Sequence, residues 1–269
     1  MYTTIALVTS SLGWAGSPFE DAFPAEAIDR FTFDQSAGAV IFKVDPNAGR
    51  LVVRGQPESW NEQGCGIDMG QREGDAWLRL LTEKASVMRV CRANWDITVP
   101  PHVALDITFS NGDVTLTGTH TGALQVSIGS GDFTFEGASG TMAVSLGNGQ
   151  LEGAYSGTEL SVAVGSGGIH LSELITPVTA ELGLGNISLS YQTAPTGELR
   201  LRTGTGAISV LLPEGTPVHT DFHGVGARRV DLPKRPSATT RIYASTGIGK
   251  IRIAALPAPP APESDRLDE

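Results

Sequence analysis

The sequence predicts an all-β chain, a single-chain β-solenoid (β-helix-like) with about eight Gly-x-Gly-cornered coils, preceded by irregular strands and a hairpin. Three observations predict it. The first is a repeat: triplets fall at Gly129-Ser130-Gly131, Gly147-Asn148-Gly149, Gly165-Ser166-Gly167, Gly183-Leu184-Gly185, Gly204-Thr205-Gly206, Gly224-Val225-Gly226 and Gly247-Ile248-Gly249, after a degenerate Ser110-Asn111-Gly112. The second is its period. The last glycines, Gly112, Gly131, Gly149, Gly167, Gly185, Gly206, Gly226 and Gly249, are 19, 18, 18, 18, 21, 20 and 23 residues apart. A step near twenty residues marks units that bury an apolar face only against their neighbours. The third is period-two alternation on both sides of the triplets, as in Leu124/Val126/Ile128 before and Ile187/Leu189 after, which places apolar side chains on one face of a strand. The eight last glycines are expected as structural turns, because a tight corner needs positive φ, which glycine takes without strain.

Taken in order, residues 1–15 end in Gly13-Trp14-Ala15, a small-x-small pattern that suits an export signal, although no Lys or Arg precedes the apolar stretch. A Pro- and acid-containing linker covers 16–27. Residues 28–100 should hold the strands and hairpin that begin the solenoid. Short alternating runs at Phe31–Phe33, Ala39–Val44 and Arg50–Gly55 are separated by turn-like Ser36-Ala37-Gly38 and Asn47-Ala48-Gly49. The runs Gly66–Met69 and Ala76–Leu81 flank a hairpin tip at Gln71–Asp75. Residues 101–253 form the regular solenoid, and 254–269 a Pro-rich, then acidic, tail.

Two cysteines, Cys65 and Cys91, suit a disulfide in an exported chain. The rival readings are buried thiols or a metal pair, and no C-x-x-C or nearby His completes a ligand set. The formal net charge of −10 and pI near 5.0 argue against a nucleic-acid backbone or an anionic membrane as the main partner. No run approaches the ~18 apolar residues of a transmembrane span. Charge is uneven: 101–196 holds eight carboxylates and no Lys or Arg, whereas 197–253 holds nine cations against four acids.

The run Trp95-Asp96-Ile97-Thr98-Val99-Pro100-Pro101-His102-Val103-Ala104-Leu105-Asp106-Ile107, with Asn111-Gly112-Asp113-Val114 and Gly131-Asp132-Phe133, resembles the bacterial "putative adhesin" β-strand-repeat family. The resemblance covers about residues 30–253. It implies envelope or extracytoplasmic β-solenoids, mostly of undefined function, and no catalytic residues to carry over.

Three features carry candidate chemistry. Asp113 and Asp132 occupy equivalent places in consecutive units and could pair for Ca²⁺ or acid–base work, but the next equivalents are Gln150, Gly168 and Asn186; turn-stabilising Asp is the plainer role. The unit His219–Leu232 would, in strict phase, turn His219, Asp221, His223 and Arg228 inward. Read chemically, His219, Asp221 and His223 are weak metal-ligand candidates. A one-residue slip would instead turn Val218, Thr220 and Phe222 inward, and costs less than burying unpaired charge. The glycine triplets are not phosphate loops, since strands follow them. No cofactor is expected. The function expected is a non-enzymatic, exported envelope or surface binding or scaffold module, periplasmic, secreted or on the cell surface, with an unknown envelope or surface component as partner. A carbohydrate-active enzyme on a β-helix face, or a subunit self-associating through solenoid ends, is the alternative.

Overall fold

A computed structural model describes residues 18–59, 65–82 and 91–257. The expected signal segment and the tail beyond 257 lie outside the described residues. The N-terminal part supplies β1 (Phe19–Pro24), a 3-10 turn at Ala25–Ala27, β2 (Ile28–Val44), β3 (Arg50–Ser59), β4 (Cys65–Arg72), β5 (Gly74–Thr82) and β6 (Arg92–Val99). The repeat supplies β7 (Ala104–Asn111), β8 (Val114–His120), β9 (Leu124–Ser130), β10 (Phe133–Ala138), β11 (Met142–Tyr155), β12 (Leu160–Leu174) and β13 (Val178–Tyr191). After these come β14 (Gly197–Thr205), β15 (Ile208–Leu212), β16 (Val218–Val225), β17 (Arg228–Val230), β18 (Thr240–Ile248) and β19 (Ile251–Ala255). All nineteen join one sheet, and no α-helix occurs among the described residues.

The chain is all-β, but the expected β-solenoid of separate coils is overturned by how the strands close. β2 pairs in parallel with β7 over Arg30–Ala37 and with β8 over Val40–Lys43. β7 pairs with β9, β9 with β11, β11 with β10 and β10 with β8, all in parallel. These six strands form a closed parallel barrel, and the others lie outside it. The physical reason is strand length. β2 and β11, 17 and 14 residues long, run through the places where corners were expected without losing strand character. Within the barrel β2 pairs with β7 and then β8, and β11 with β9 and then β10, so two separate sides become one hydrogen-bonded circuit. The repeat period carried no sign of this, because an interrupted and a continuous strand have the same spacing.

Outside the barrel the order departs from the chain order. β12 and β13 continue in parallel from β11, and β14 and β15 both pair with β13. The final pair, β18 and β19, then inserts next to β14 and β15, leaving β16 and β17 beyond it at the end of the sheet. At the other end β5 and β6 pair with β2, and antiparallel strands follow: β4 on β5, β3 on β6 and β1 on β3. The β4–β5 hairpin turns at Glu73 and Gly74, both at positive φ. A disulfide joins Cys65 to Cys91, tying the start of β4 to the residue before β6.

The alternation that marked the strands marks the core. Leu146, Val164 and Leu182 are partners across β11, β12 and β13, and all three are buried. An 18-residue step thus delivers the same apolar class to the same place in each strand. The glycine corners have two causes rather than one. Gly167 sits at φ +141°, and a Cβ there would also overlap the carbonyl oxygen of Gly149 on the neighbouring strand. Gly165, the first glycine of its triplet, has only the second cause: a Cβ there would run into the Gly147 carbonyl. Backbones stacked this closely leave no room for a side chain.

Candidate functional site

β16 carries the weak metal candidates, and its register decides their direction. Val218 pairs with Thr240, Thr220 with Ile242 and Phe222 with Ala244, with a shift between Gly224 and Val225. Val218 is buried and Phe222 packs against the core, while Asp221 and His223 are exposed and His219 half-buried. The slipped register keeps charge out of the core, where an unpaired group would cost several kcal/mol (roughly 2–7). Asp221 Oδ1 lies 3.3 Å from His223 Nε2, an exposed pair. Among the described residues no group of three His, Cys, Asp or Glu side chains is placed to share a metal ion. Arg228, the fourth residue of the strict-phase reading, is exposed and donates to the Gly224 carbonyl.

Asp113 and Asp132 lie on one line along the corner and act between strands. Asp113 Oδ1 accepts the Asp132 amide at 2.9 Å, and Asp132 Oδ1 accepts the Gln150 amide at 2.7 Å. Asn94 and Asn186 do the same for the amides of Ala39 and Ala207, at 3.0 and 2.8 Å. Each side chain satisfies a backbone donor that the turn would leave open. Beside this line is a shallow depression lined by Thr134, Glu136, Glu152, His170, Ser172 and Ser188. Glu136 there accepts the Gly118 amide at 2.6 Å. Its carboxylate serves the sheet.

Gln35 and His120 are among the buried polar residues that the sequence reading did not single out. His120, at the end of β8, is fully buried, and its Nε2 lies 2.9 Å from the Val103 carbonyl. Its Nδ1 is buried without a hydrogen-bond partner. With Nε2–H as donor, Nδ1 is the bare acceptor of a neutral ring. Burial lowers the pKa of His120 below its ordinary value, and the bond to Val103 opposes that only in part. The only sequence signal was a lone His at the end of an alternating strand, in Thr117-Gly118-Thr119-His120. Tyr155 is a better-satisfied neighbour: its hydroxyl donates to the Gly140 carbonyl at 2.8 Å and accepts the Glu159 amide at 3.0 Å. Burial raises its pKa.

Several solved structures of bacterial proteins match the chain at low identity. A "putative adhesin" of Bacteroides fragilis matches at 12% identity, over 89% of this chain and 98% of that one, with a TM-score of 0.44. A "putative cell adhesion protein" of Clostridium sporogenes matches at 13% identity over 89% and 100%, with a TM-score of 0.26. A "putative adhesin" of Parabacteroides merdae matches at 11% over 90% and 98%, at 0.27. The chain resembles bacterial proteins named as adhesins. No protein-family model matches it, and no curated protein matches it.

Proposed function

We propose that the protein is a non-enzymatic, exported binding or scaffold module of the cell envelope or surface. The observation that carries this reading is the segregation of charge on one continuous sheet. Asp106, Asp113, Asp132, Glu136, Glu152, Glu159, Glu173 and Glu181 stand in a stretch without Lys or Arg, and the cations follow from Arg200 onward. Strands with a close-packed core hold these charges at fixed spacing, which suits recognition of a polymer or surface carrying many charges. The Cys65–Cys91 disulfide supports export, since such bonds persist in oxidising compartments. An acid–base enzyme would need carboxylates free to meet a substrate, whereas Asp113, Asp132 and Glu136 accept backbone amides. No helix among the described residues is long and apolar enough to cross a membrane.

The test is fractionation of cells making the full chain, followed by capture from envelope extracts. The expected result is an envelope or medium fraction with the cysteines resistant to alkylation, and salt-sensitive retention of an envelope component. Cytosolic protein with two free thiols would overturn the reading. Self-association through the sheet ends is a second reading, favoured by β16, which beyond the bridge from Val218 to Lys234 pairs with β18 alone; a sedimentation coefficient independent of concentration counts against it.

A further inference from the structure

Leu184, Ile248 and Val225 are the most exposed large hydrophobic side chains among the described residues, at 58%, 67% and 70%. Each is the middle residue of a glycine triplet, and the sheet brings them together. Leu184 is the register partner of Thr205, Thr205 of Ile248, and Ile248 of Val225. Earlier members of the same line are polar: Asn111, Ser130, Asn148 and Ser166. With strands ~4.8 Å apart, the ridge from Leu184 to Val225 is roughly 14 Å long, with Thr205 between Leu184 and the adjacent pair Ile248 and Val225. Gly185, Gly206 and Gly226, which follow Leu184, Thr205 and Val225, lie at positive φ, so the chain turns beside it.

Cations flank it. Lys250, two residues after Ile248, and Arg228, three after Val225, are exposed. Arg228 donates to the Gly224 carbonyl, which holds its guanidinium next to Val225. Arg202 lies on the other flank, where its register partner Glu181 offsets it.

We propose that this corner docks the protein on an anionic lipid surface. Apolar tips reaching the acyl boundary with basic groups at headgroup level are what such a surface recognises. A ridge one side chain wide offers a second copy of the chain little area to bury, whereas a fluid interface needs no matching face. The net charge of −10 opposes an anionic membrane only when spread evenly. Screening confines each charge to about 8–10 Å, and of the ridge only Leu184 stands on an acidic-only strand, β13, where Arg202 is the register partner of Glu181. The inference narrows the envelope partner proposed above and rests on that reading. Synthetic vesicles test the ridge without any envelope component, whereas fractionation tests export, so the two can fail separately.

The experiment is cosedimentation of the full chain with vesicles of phosphatidylcholine alone or mixed with phosphatidylglycerol. Binding to the mixed vesicles is expected, weakened by salt of about 0.5 M. Ile248→Ser with Val225→Ser should lower the partition coefficient at least roughly tenfold. Arg228→Glu with Lys250→Glu should lower it by a similar factor while leaving the apolar tips in place. All these side chains are exposed, so unchanged thermal unfolding is the control for folding. Failure to bind either vesicle, equal binding to both, or wild-type binding by the serine variant would overturn the proposal. Concentration-dependent dimers that the serine variant abolishes, without lipid binding, would assign the ridge to a contact between copies instead, and also overturn it.

Discussion

The strands from β7 to β13 and those from β14 to β19 are built from one repeat and differ in what their corners do. In the first region the corner line is polar as far as Ser166 and turns apolar only at Leu184 in β13; Asp113, Asp132 and Asn186 bond across to the next strand, and the pairing follows the chain order. In the second the exposed corner line carries Ile248 and Val225 beside Thr205; Ala207, Lys250 and Ala227 stand where the Asx side chains stood, and the last pair of strands inserts ahead of the one before it. The difference teaches that the repeat maintains the core, while the corners are free to specialise. Most buried positions stay apolar through both regions, including Leu182, Leu201, Ile242 and Val218, although the line of Leu182 continues into buried Thr203 and Thr246.

The sharpest way to break this comparison is to put a side chain into a corner of each region. Gly167→Ala places a methyl group against the Gly149 carbonyl, at a φ that Ala adopts with strain, between strands paired on both sides. A loss of about 4 kcal/mol or more in urea unfolding is expected, by overpacking plus backbone strain. Gly226→Ala would meet the Gly249 carbonyl in the same way. It lies between the outermost strands β16 and β17, where β17 pairs with β19 alone, so fraying should limit the loss to roughly 1–2 kcal/mol. Equal losses at the two glycines would show that the terminal strands are as firmly held as the central ones.

The disulfide gives the next effect, at the opposite end of the sheet. Cys65→Ala with Cys91→Ala opens a link across 26 residues and should cost about 3 kcal/mol in the chain-entropy account. The antiparallel β3, β4 and β1 lie nearest the link. Hydrogen exchange should therefore quicken there and leave β12 and β13 unchanged.

His120 tests the central region through pH. The ring is buried and its pKa is lowered, so the folded state binds its proton less readily than the unfolded chain. Its contribution is complete above the unfolded value near 6.5 and is lost as pH falls below it towards the folded pKa. Urea midpoints measured from pH 7.5 to 5 should drop with falling pH by at most about 1.4 kcal/mol per unit from this group. In His120→Gln that part of the slope should vanish. An unchanged slope would mean that other groups carry the acid sensitivity.

How much of this was legible in the sequence depends on the kind of information each feature uses. Alternation told inside from outside in most strands, because burial needs only local apolar periodicity: Leu124, Val126 and Ile128 are buried as their spacing required. The register of β16 was open between two phases, and the cost of burying Asp221 decided it. Barrel closure was not legible, since it depends on β2 pairing with both β7 and β8, contacts more than seventy residues distant for every pair. The insertion of β18 beside β14 is likewise a choice among similar edges, to which a repeat is blind. Of the candidate site, the Asp positions were visible but their role between strands was not. Leu184, Val225 and Ile248 were passed over as the middle residues of corners, because exposure of a corner cannot be read from spacing.

The smallest expected effect bears most directly on the difference between the two regions. At position 207 the Asx line stops, yet the geometry for continuing it is in place. Ile208 donates to the Lys250 carbonyl, as Val114 does to the Asp132 carbonyl where Asp113 accepts the Asp132 amide. Ala207→Asn would set an oxygen where it can accept the Lys250 amide, as Asn186 accepts that of Ala207. A half-buried bond of this kind should add about 0.5 kcal/mol, read as a small rise in urea midpoint with unchanged m value. A loss would mean that β19 does not stand to β15 at its corner as β15 stands to β13. The apolar ridge would then follow from a distorted corner, and no separate specialisation of the terminal strands would be needed to account for it.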